Sequence, residues 1–290
     1  MIPKLNLTWQ AADEHAGMKL REFLRKEKNM SRKLLAEVKF EGGGLFLNEK
    51  KVEVTEILHS GDIITVELPE EQTSSNIVPV SLPLQKLYED EHVLVIEKPS
   101  SLPVLPMSDR NKPSVCGAVL NDYQQRGWPG TIHIVTRLDR DTSGVMLIAK
   151  HRYAHSQLFA AQQQGEISRT YAALAEGYFP WKYASVHAPI TRKEGSIVER
   201  AVGEEGQYSV THIKAINYTK TATLLHISLE TGRTHQIRVH LSWMGYPLCG
   251  DTLYGKSESL YQRQLLHAQE ITFPHPHSSE MITCSSPVPF

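Results

Sequence analysis

Cysteine is scarce in this chain: Cys116, Cys249 and Cys284 are the only three among 290 residues. Their odd number and wide spacing exclude a disulfide framework and a cysteine-based zinc site, and they fit a reducing compartment. Long apolar runs are missing too, since no stretch approaches the roughly 18 consecutive apolar residues of a membrane span. The amino terminus has no apolar run and carries Asp13 and Glu14, so no signal peptide is expected and the protein reads as soluble and cytoplasmic. Neither GxxxxGKS/T nor GxGxxG occurs, which leaves a nucleotide cofactor without support. Charge of one sign is also absent: 31 Lys+Arg stand against 32 Asp+Glu, a formal net of −1. That balance excludes a chain held to nucleic acid by bulk charge.

What is present looks globular. Hydrophobic residues at 40% and charged ones at 22% allow a sizeable core and argue against wholesale disorder. The length fits one large domain, or one large and one small. Residues 1–70 read as the small one. Leu20, Phe23 and Leu24 fall at helical spacing, Ser31 is placed to cap a second helix, and 45–48, 51–54 and 63–68 alternate like strands. Between Met18 and Phe40 eight bases face three acids, a net of +5, whereas Glu41 to Glu71 nets −6. A basic helical cluster ahead of an acidic β part suggests an RNA-binding face built on Arg21, Arg25, Arg32 and Lys33. A solvated helix pair would carry the same charges.

Residues 71–84 read as a linker, beginning in the polar stretch that runs to Asn76. Residues 85–290 then form the larger domain. Short apolar runs at 93–96 and 145–149 read as buried strands, as do 171–175 and 222–229. Residues 151–164 read as a helix with Leu158 and Phe159 on its apolar side and Gly165 ending it. Strands separated by both loops and helices predict an α+β fold.

Two segments concentrate polar chemistry. In Arg137-Leu138-Asp139-Arg140-Asp141-Thr142-Ser143-Gly144, an arginine beside a carboxylate can keep it ionised as nucleophile or base; a polar turn is the plainer alternative. In Thr231-Gly232-Arg233-Thr234-His235-Gln236-Ile237-Arg238-Val239-His240, a strand passes through glycine into a helix whose amino-terminal donors could face an anion. His235 and His240 are five apart, off one helical face, which argues against zinc. The pair His275 and His277 in a proline-bound loop is a weak metal signal, and Lys98-Pro99 reads as a turn.

Taken in order, these segments resemble the RluA/RluD-type family of pseudouridine synthases. The resemblance runs from about residue 87 to the end. It rests on Val95-Ile96-Glu97-Lys98-Pro99, the two polar segments, Arg169-Thr170-Tyr171, Gly245-Tyr246-Pro247-Leu248-Cys249-Gly250-Asp251, and Leu265-Leu266-His267-Ala268. The first seventy residues resemble, more weakly, the αL RNA-binding domain that often precedes this catalytic domain. Two positions depart from the family pattern: Thr136 stands where His usually precedes Arg-Leu-Asp, and Ser101 where the loop after Lys-Pro usually has Gly.

The resemblance implies a mixed, mainly antiparallel central sheet with flanking helices and an enzyme that isomerises specific uridines in structured RNA. The breaking and remaking of a glycosidic bond needs no net oxidation or hydrolysis, and no cofactor or metal is expected. Asp139 is implied as the catalytic aspartate, acting as nucleophile or as base toward the ribose, with Arg238 as its ion-pair partner. Tyr171 is implied to stack on the flipped uracil and to help remove the carbon-5 proton. Arg137 would fill the space vacated by the flipped base. Arg140 and Arg233 are expected to bind the RNA, and Ile237 either walls the pocket or is plain core. Large-subunit ribosomal RNA is the first expected substrate and transfer RNA the second, with the enzyme acting as a monomer. A non-catalytic RNA-binding protein and a nucleosidase are the competing classes.

Overall fold

The computed structural model describes residues 4–72, 75–106, 109, 112–255 and 260–290. Residues 1–3 of the amino terminus and 73–74 of the expected linker lie outside them. Strands β1 (Asn6–Gln10), β2 (Gly44–Leu47), β3 (Lys50–Lys51) and β4 (Ile63–Glu67) make an antiparallel sheet in the order β1-β4-β2-β3. The strand expected over 51–54 is thus confined to the two residues before Val52. β1 adds to the sequence reading, where its alternation rests on Leu7 and Trp9 alone. Helix α1 (Leu20–Glu22) runs on as a wider π-helical stretch, Phe23–Glu27, and buries Leu20, Phe23 and Leu24 as their spacing predicts. Ser31 caps α2 (Arg32–Phe40), its Oγ accepting from Leu34 N at 3.1 Å.

The second sheet contains β5 (Gln85–Glu89), β6 (Val93–Lys98), β7 (His133–Ile134), β8 (Ser143–Ala149), β9 (Ser168–Glu176) and β10 (Tyr183–His187). A small hairpin, β11 (Ile190–Arg192) with β12 (Arg200–Val202), stands apart. β13 (Val210–Tyr218), β14 (Ala222–Leu229), β15 (Leu266–Pro274) and β16 (Met281–Ser285) complete the main sheet. Its order is β10-β13-β14-β9-β15-β8-β6-β5, and the β15–β8 pair is parallel while its other pairs are antiparallel. The fold is therefore α+β with a mixed, mainly antiparallel sheet, as expected.

Both faces of this sheet are covered, which explains why β6 and β8 read as continuous apolar runs rather than alternating ones. Leu94, Ile96, Met146 and Ile148 point into one core with Val119 and Tyr123 of α3 (Val115–Arg126). Val93, Val95, Val145 and Leu147 point into another with Ala154 and Leu158 of α4 (Arg152–Gln163). Leu158 packs inward as expected, but its neighbour Phe159 is 52% exposed. Helix α5 (Gln236–Trp243) sends Ile237 and Leu241 into the first core.

The amino-terminal sheet leans on α4. Tyr153 joins its core and sets its ring edge-on to Trp9 at 5.9 Å, while Arg152 pairs with Glu37 of α2. The expected linker is tethered as well: the buried Glu71 carboxylate accepts from His133 Nε2–H at 2.8 Å and from Arg152 N at 2.9 Å.

Candidate active site

Asp139 sits in the loop between β7 and β8, and the loop's exit is set by backbone geometry. Gly144 has φ +113°, and a Cβ there would fall 2.1 Å from the Ala268 carbonyl oxygen of β15. Only glycine permits that approach, so β8 can pair in parallel with β15 directly after the loop, in the middle of the sheet. Lys98, read from sequence as part of a turn, is fully buried at the loop's base. Its Nζ donates to the carbonyls of Pro99 (2.9 Å), Leu102 (2.9 Å) and Arg140 (2.8 Å), clasping the end of β6 to the Asp139 loop. Burial pulls the Lys98 ammonium down to about 8, against the opposing pull of Asp141 and Asp139.

Arg238 comes from α5 and reaches Asp139 Oδ2 with Nη1 at 2.9 Å. Its other nitrogens grip Asp251, Nε to Oδ2 at 2.7 Å and Nη2 to Oδ1 at 2.9 Å. Burial opposes the charge on Arg238, but the two carboxylates outweigh it and hold the guanidinium above its ordinary value. Burial likewise opposes ionisation of Asp251, and Arg238 with the Leu253 and Tyr254 amides outweighs it, lowering its pKa. A bidentate arginine cannot rotate away, so Asp139 is presented in one orientation.

His235 precedes α5 with a left-handed backbone, φ +58°. Its Nε2 lies 3.9 Å from Asp139 Oδ1, and its Nδ1 lies 2.8 Å from the Tyr254 hydroxyl. Burial keeps this imidazole below its ordinary pKa, against the raising pull of Asp139. Gln236 holds the preceding loop: its Oε1 accepts from Thr231 Oγ1 and Arg233 N, both at 2.9 Å, and its Nε2 donates to Val210 O. The expected anion cradle at the start of α5 is thus partly used by the chain itself. His240 is structural, within 2.8 Å of Thr211 Oγ1 and 2.9 Å of Ala188 O.

A small pocket of about 60 Å³ opens between these groups, lined by Arg137, Asp139, Tyr171, Arg233, Ile237 and Arg238 among others. Tyr171 is buried on β9, and burial, then Asp139, raises its hydroxyl above the ordinary value against the pull of Arg169. Ile237 lines this pocket and belongs to the first core.

Other expected site residues lie elsewhere. Arg140 turns away to its neighbour, Nε to Asp141 Oδ1 at 3.0 Å and Nη2 to Oδ2 at 2.8 Å, and does not line the pocket. Thr136 is buried, its Oγ1 accepting from Leu147 N at 2.9 Å, so its side chain is turned into the sheet. Arg21, Arg25 and Arg32 line a separate cleft of about 700 Å³ along α1 and α2, and Lys33 lines the adjoining one. Asp251, His235 and Lys98 take parts in the site that the sequence reading did not assign. For Asp251 the signal was its place at the end of a quoted motif; for Lys98, a charged residue closing an apolar strand.

A model of the family described as RNA pseudouridylate synthase matches residues 92–243. The chain is 45% identical over 263 residues to "Uncharacterized RNA pseudouridine synthase YjbO" of Bacillus subtilis (strain 168), covering 91% of this chain and 93% of that one. It is 36% identical over 238 residues to "Ribosomal large subunit pseudouridine synthase D" of Nitrosomonas europaea, covering 79% and 69%. The solved structure of "Human RNA Pseudouridylate Synthase Domain Containing 1" shares the fold, with a TM-score of 0.59 at 23% identity over 72% of this chain and 84% of that one.

Proposed function

Because the chain belongs to the RNA pseudouridylate synthase family and is an RNA pseudouridine synthase, we propose that it isomerises uridines of large-subunit ribosomal RNA with Asp139 as its catalytic carboxylate. The observation that carries the site is the chain Asp139–Arg238–Asp251, in which a buried bidentate pair fixes the arginine that orients an accessible carboxylate. Attack on the ribose and abstraction of a ribose proton both need that carboxylate ionised, and Arg238 supplies the opposing charge for either. Tyr171 walls the base, Arg137 stands at the mouth to occupy the vacated stack, and Arg233 meets the RNA beside it. The amino-terminal cleft of Arg21, Arg25 and Arg32, with Lys33 beside it, holds a further part of the RNA. Residues 1–70 act as the RNA-docking domain and 85–290 as the catalytic one, joined through 71–84.

The name of the Nitrosomonas relative favours ribosomal RNA as substrate. The test is pseudouridine mapping at nucleotide resolution in a strain lacking the gene, restored with the wild-type chain or with Asp139→Asn. The expected result is one or more sites in large-subunit ribosomal RNA that return with wild type alone. Sites confined to transfer RNA overturn the substrate, and sites restored by Asp139→Asn overturn the residue.

A further inference from the structure

Beside the Asp139 pocket lies a larger groove of about 630 Å³, most of whose lining residues have no part in the reaction described above. Three aromatic rings form a ladder along it. His133 and His155 stack with centroids 5.3 Å apart and planes 29° apart, and His155 and Phe159 follow at 6.4 Å and 27°. Glu71 anchors one end through His133 at 2.8 Å. At the other end Phe159 is 52% exposed, on a helix whose buried face is already supplied by Tyr153, Ala154 and Leu158. An aromatic left half in water at the end of a stack is an unfilled stacking surface.

The charge of the groove is one-sided. Arg137, Arg169 and Arg233 line it, and among the described residues no carboxylate does. Its position is equally informative. The groove shares Arg137, Tyr171 and Arg233 with the Asp139 pocket, and shares His133 with the cleft at the start of α2 that Ser31, Lys33 and Arg152 line. The groove thus adjoins both the Asp139 pocket and the cleft at the start of α2.

We propose that this groove seats an unpaired stretch of RNA adjoining the target uridine, with one nucleobase stacked on Phe159 and its phosphates against Arg137, Arg169 and Arg233. The site rests on the RNA-isomerase reading above and extends it to a flanking-base subsite. Stacking is tolerant of base identity, because every base has a π face, so this subsite contributes affinity and demands an unpaired neighbour rather than a particular letter. Arginines supply the phosphate contacts that set register.

The test measures initial rates of pseudouridine formation by the full-length chain on total RNA from the strain lacking it, comparing wild type, Phe159→Ala and Phe159→Trp. Loss of a base–aromatic stack, about 1–3 kcal/mol, predicts a KM raised about 5- to 150-fold in Phe159→Ala with kcat within about twofold. Phe159→Trp should restore KM, which a merely structural role of an exposed ring would not require. Thermal unfolding of each variant checks that the fold is kept. An unchanged KM in Phe159→Ala overturns the subsite, as does a loss confined to kcat; a groove that serves an acidic protein segment gives the first of these results. Equilibrium RNA binding by Asp139→Asn, with and without Phe159→Ala, separates the two readings. Wild type without isomerase activity overturns the function, whereas RNA binding that still weakens on removing Phe159 keeps the groove.

Discussion

Two of the clusters of titratable groups among the described residues are built on opposite principles. Beside Asp139 the Arg238–Asp251 pair is kept charged: Arg238 grips Asp251 with two nitrogens at 2.7 and 2.9 Å and reaches Asp139 with a third at 2.9 Å. Where the amino-terminal sheet meets the main sheet, four histidines crowd together, and burial pushes His92, His151 and His277 toward the neutral form. His92 and His277 stack at 4.8 Å, His275 meets His92 edge-on at 5.2 Å, and Trp9 stacks on His277 at 5.2 Å. His151 Nδ1 accepts from Ala154 N, so its neutral ring carries the proton on Nε2 and donates to His92 Nδ1 at 3.0 Å. Burial pushes His92 down to about 4 and His151 to about 3. Protonating His92 would set two N–H groups head to head. The difference teaches that burial alone does not decide ionisation; the available opposite charge does.

The largest expected effect isolates the exposed end of the charged cluster. Asp139→Asn should lower turnover by about 10²–10⁴-fold with little loss of stability, because Arg238 keeps its Asp251 partner. Turnover rates and a urea melt on the same preparation check both halves, and a large stability loss would show that the two carboxylates are equivalent. Asp251→Asn should break the buried end and cost about 3–5 kcal/mol of stability as well as activity, since it leaves Arg238 in the interior with one partner. A normal urea midpoint for that variant removes the distinction between the two ends.

Acid should act on the other cluster first. The folded pKa values of His92 and His151 lie below the unfolded value of about 6.5, so the unfolded chain binds more protons as the pH falls. Their contribution is therefore intact above pH 6.5 and is lost as the pH falls toward about 4, at up to about 1.4 kcal/mol per pH unit for each ring. Urea unfolding between pH 7.5 and 4.5, followed by far-UV circular dichroism, reads this loss; a flat profile through that window contradicts the neutral-cluster account. The smallest effect touches neither cluster. Ser101 has φ +64°, which explains why the family usually carries glycine there, and Ser101→Gly should raise stability by about 0.5–1 kcal/mol without altering turnover. A loss of stability in Ser101→Gly would mean that the serine side chain offsets its backbone cost.

Much of the fold was legible because it is written in local patterns. Ser31 capping α2, the apolar runs of β6 and β8, and the 151–164 helix follow from side-chain type and spacing. The Asp139–Arg238 pair was legible only through resemblance, since 99 residues separate the partners and no periodicity links them. Arg140 and Phe159 mark the limit of local reading. Arg140, expected to bind RNA, turns to its neighbour Asp141, and Phe159, on a helix that forms as read, faces out beside an inward Leu158. The sheet's parallel β8–β15 pair was invisible because pairing joins strands more than a hundred residues apart.

The sequence by itself determined that this is a globular α+β chain with a near-zero net charge, local basic faces and the motifs of an RNA-isomerising family. Spacing, composition and residue order carry that much, because helices, strands and caps form from neighbours. Only the tertiary structure decided which charges are paired and which rings stay neutral. It brought Asp251 to Arg238, folded Lys98 under the Asp139 loop, and lined up His133, His155 and Phe159 beside the pocket. Those outcomes depend on distances between residues far apart in sequence. Electrostatic and stacking energies vary steeply over the few ångströms that long-range packing sets.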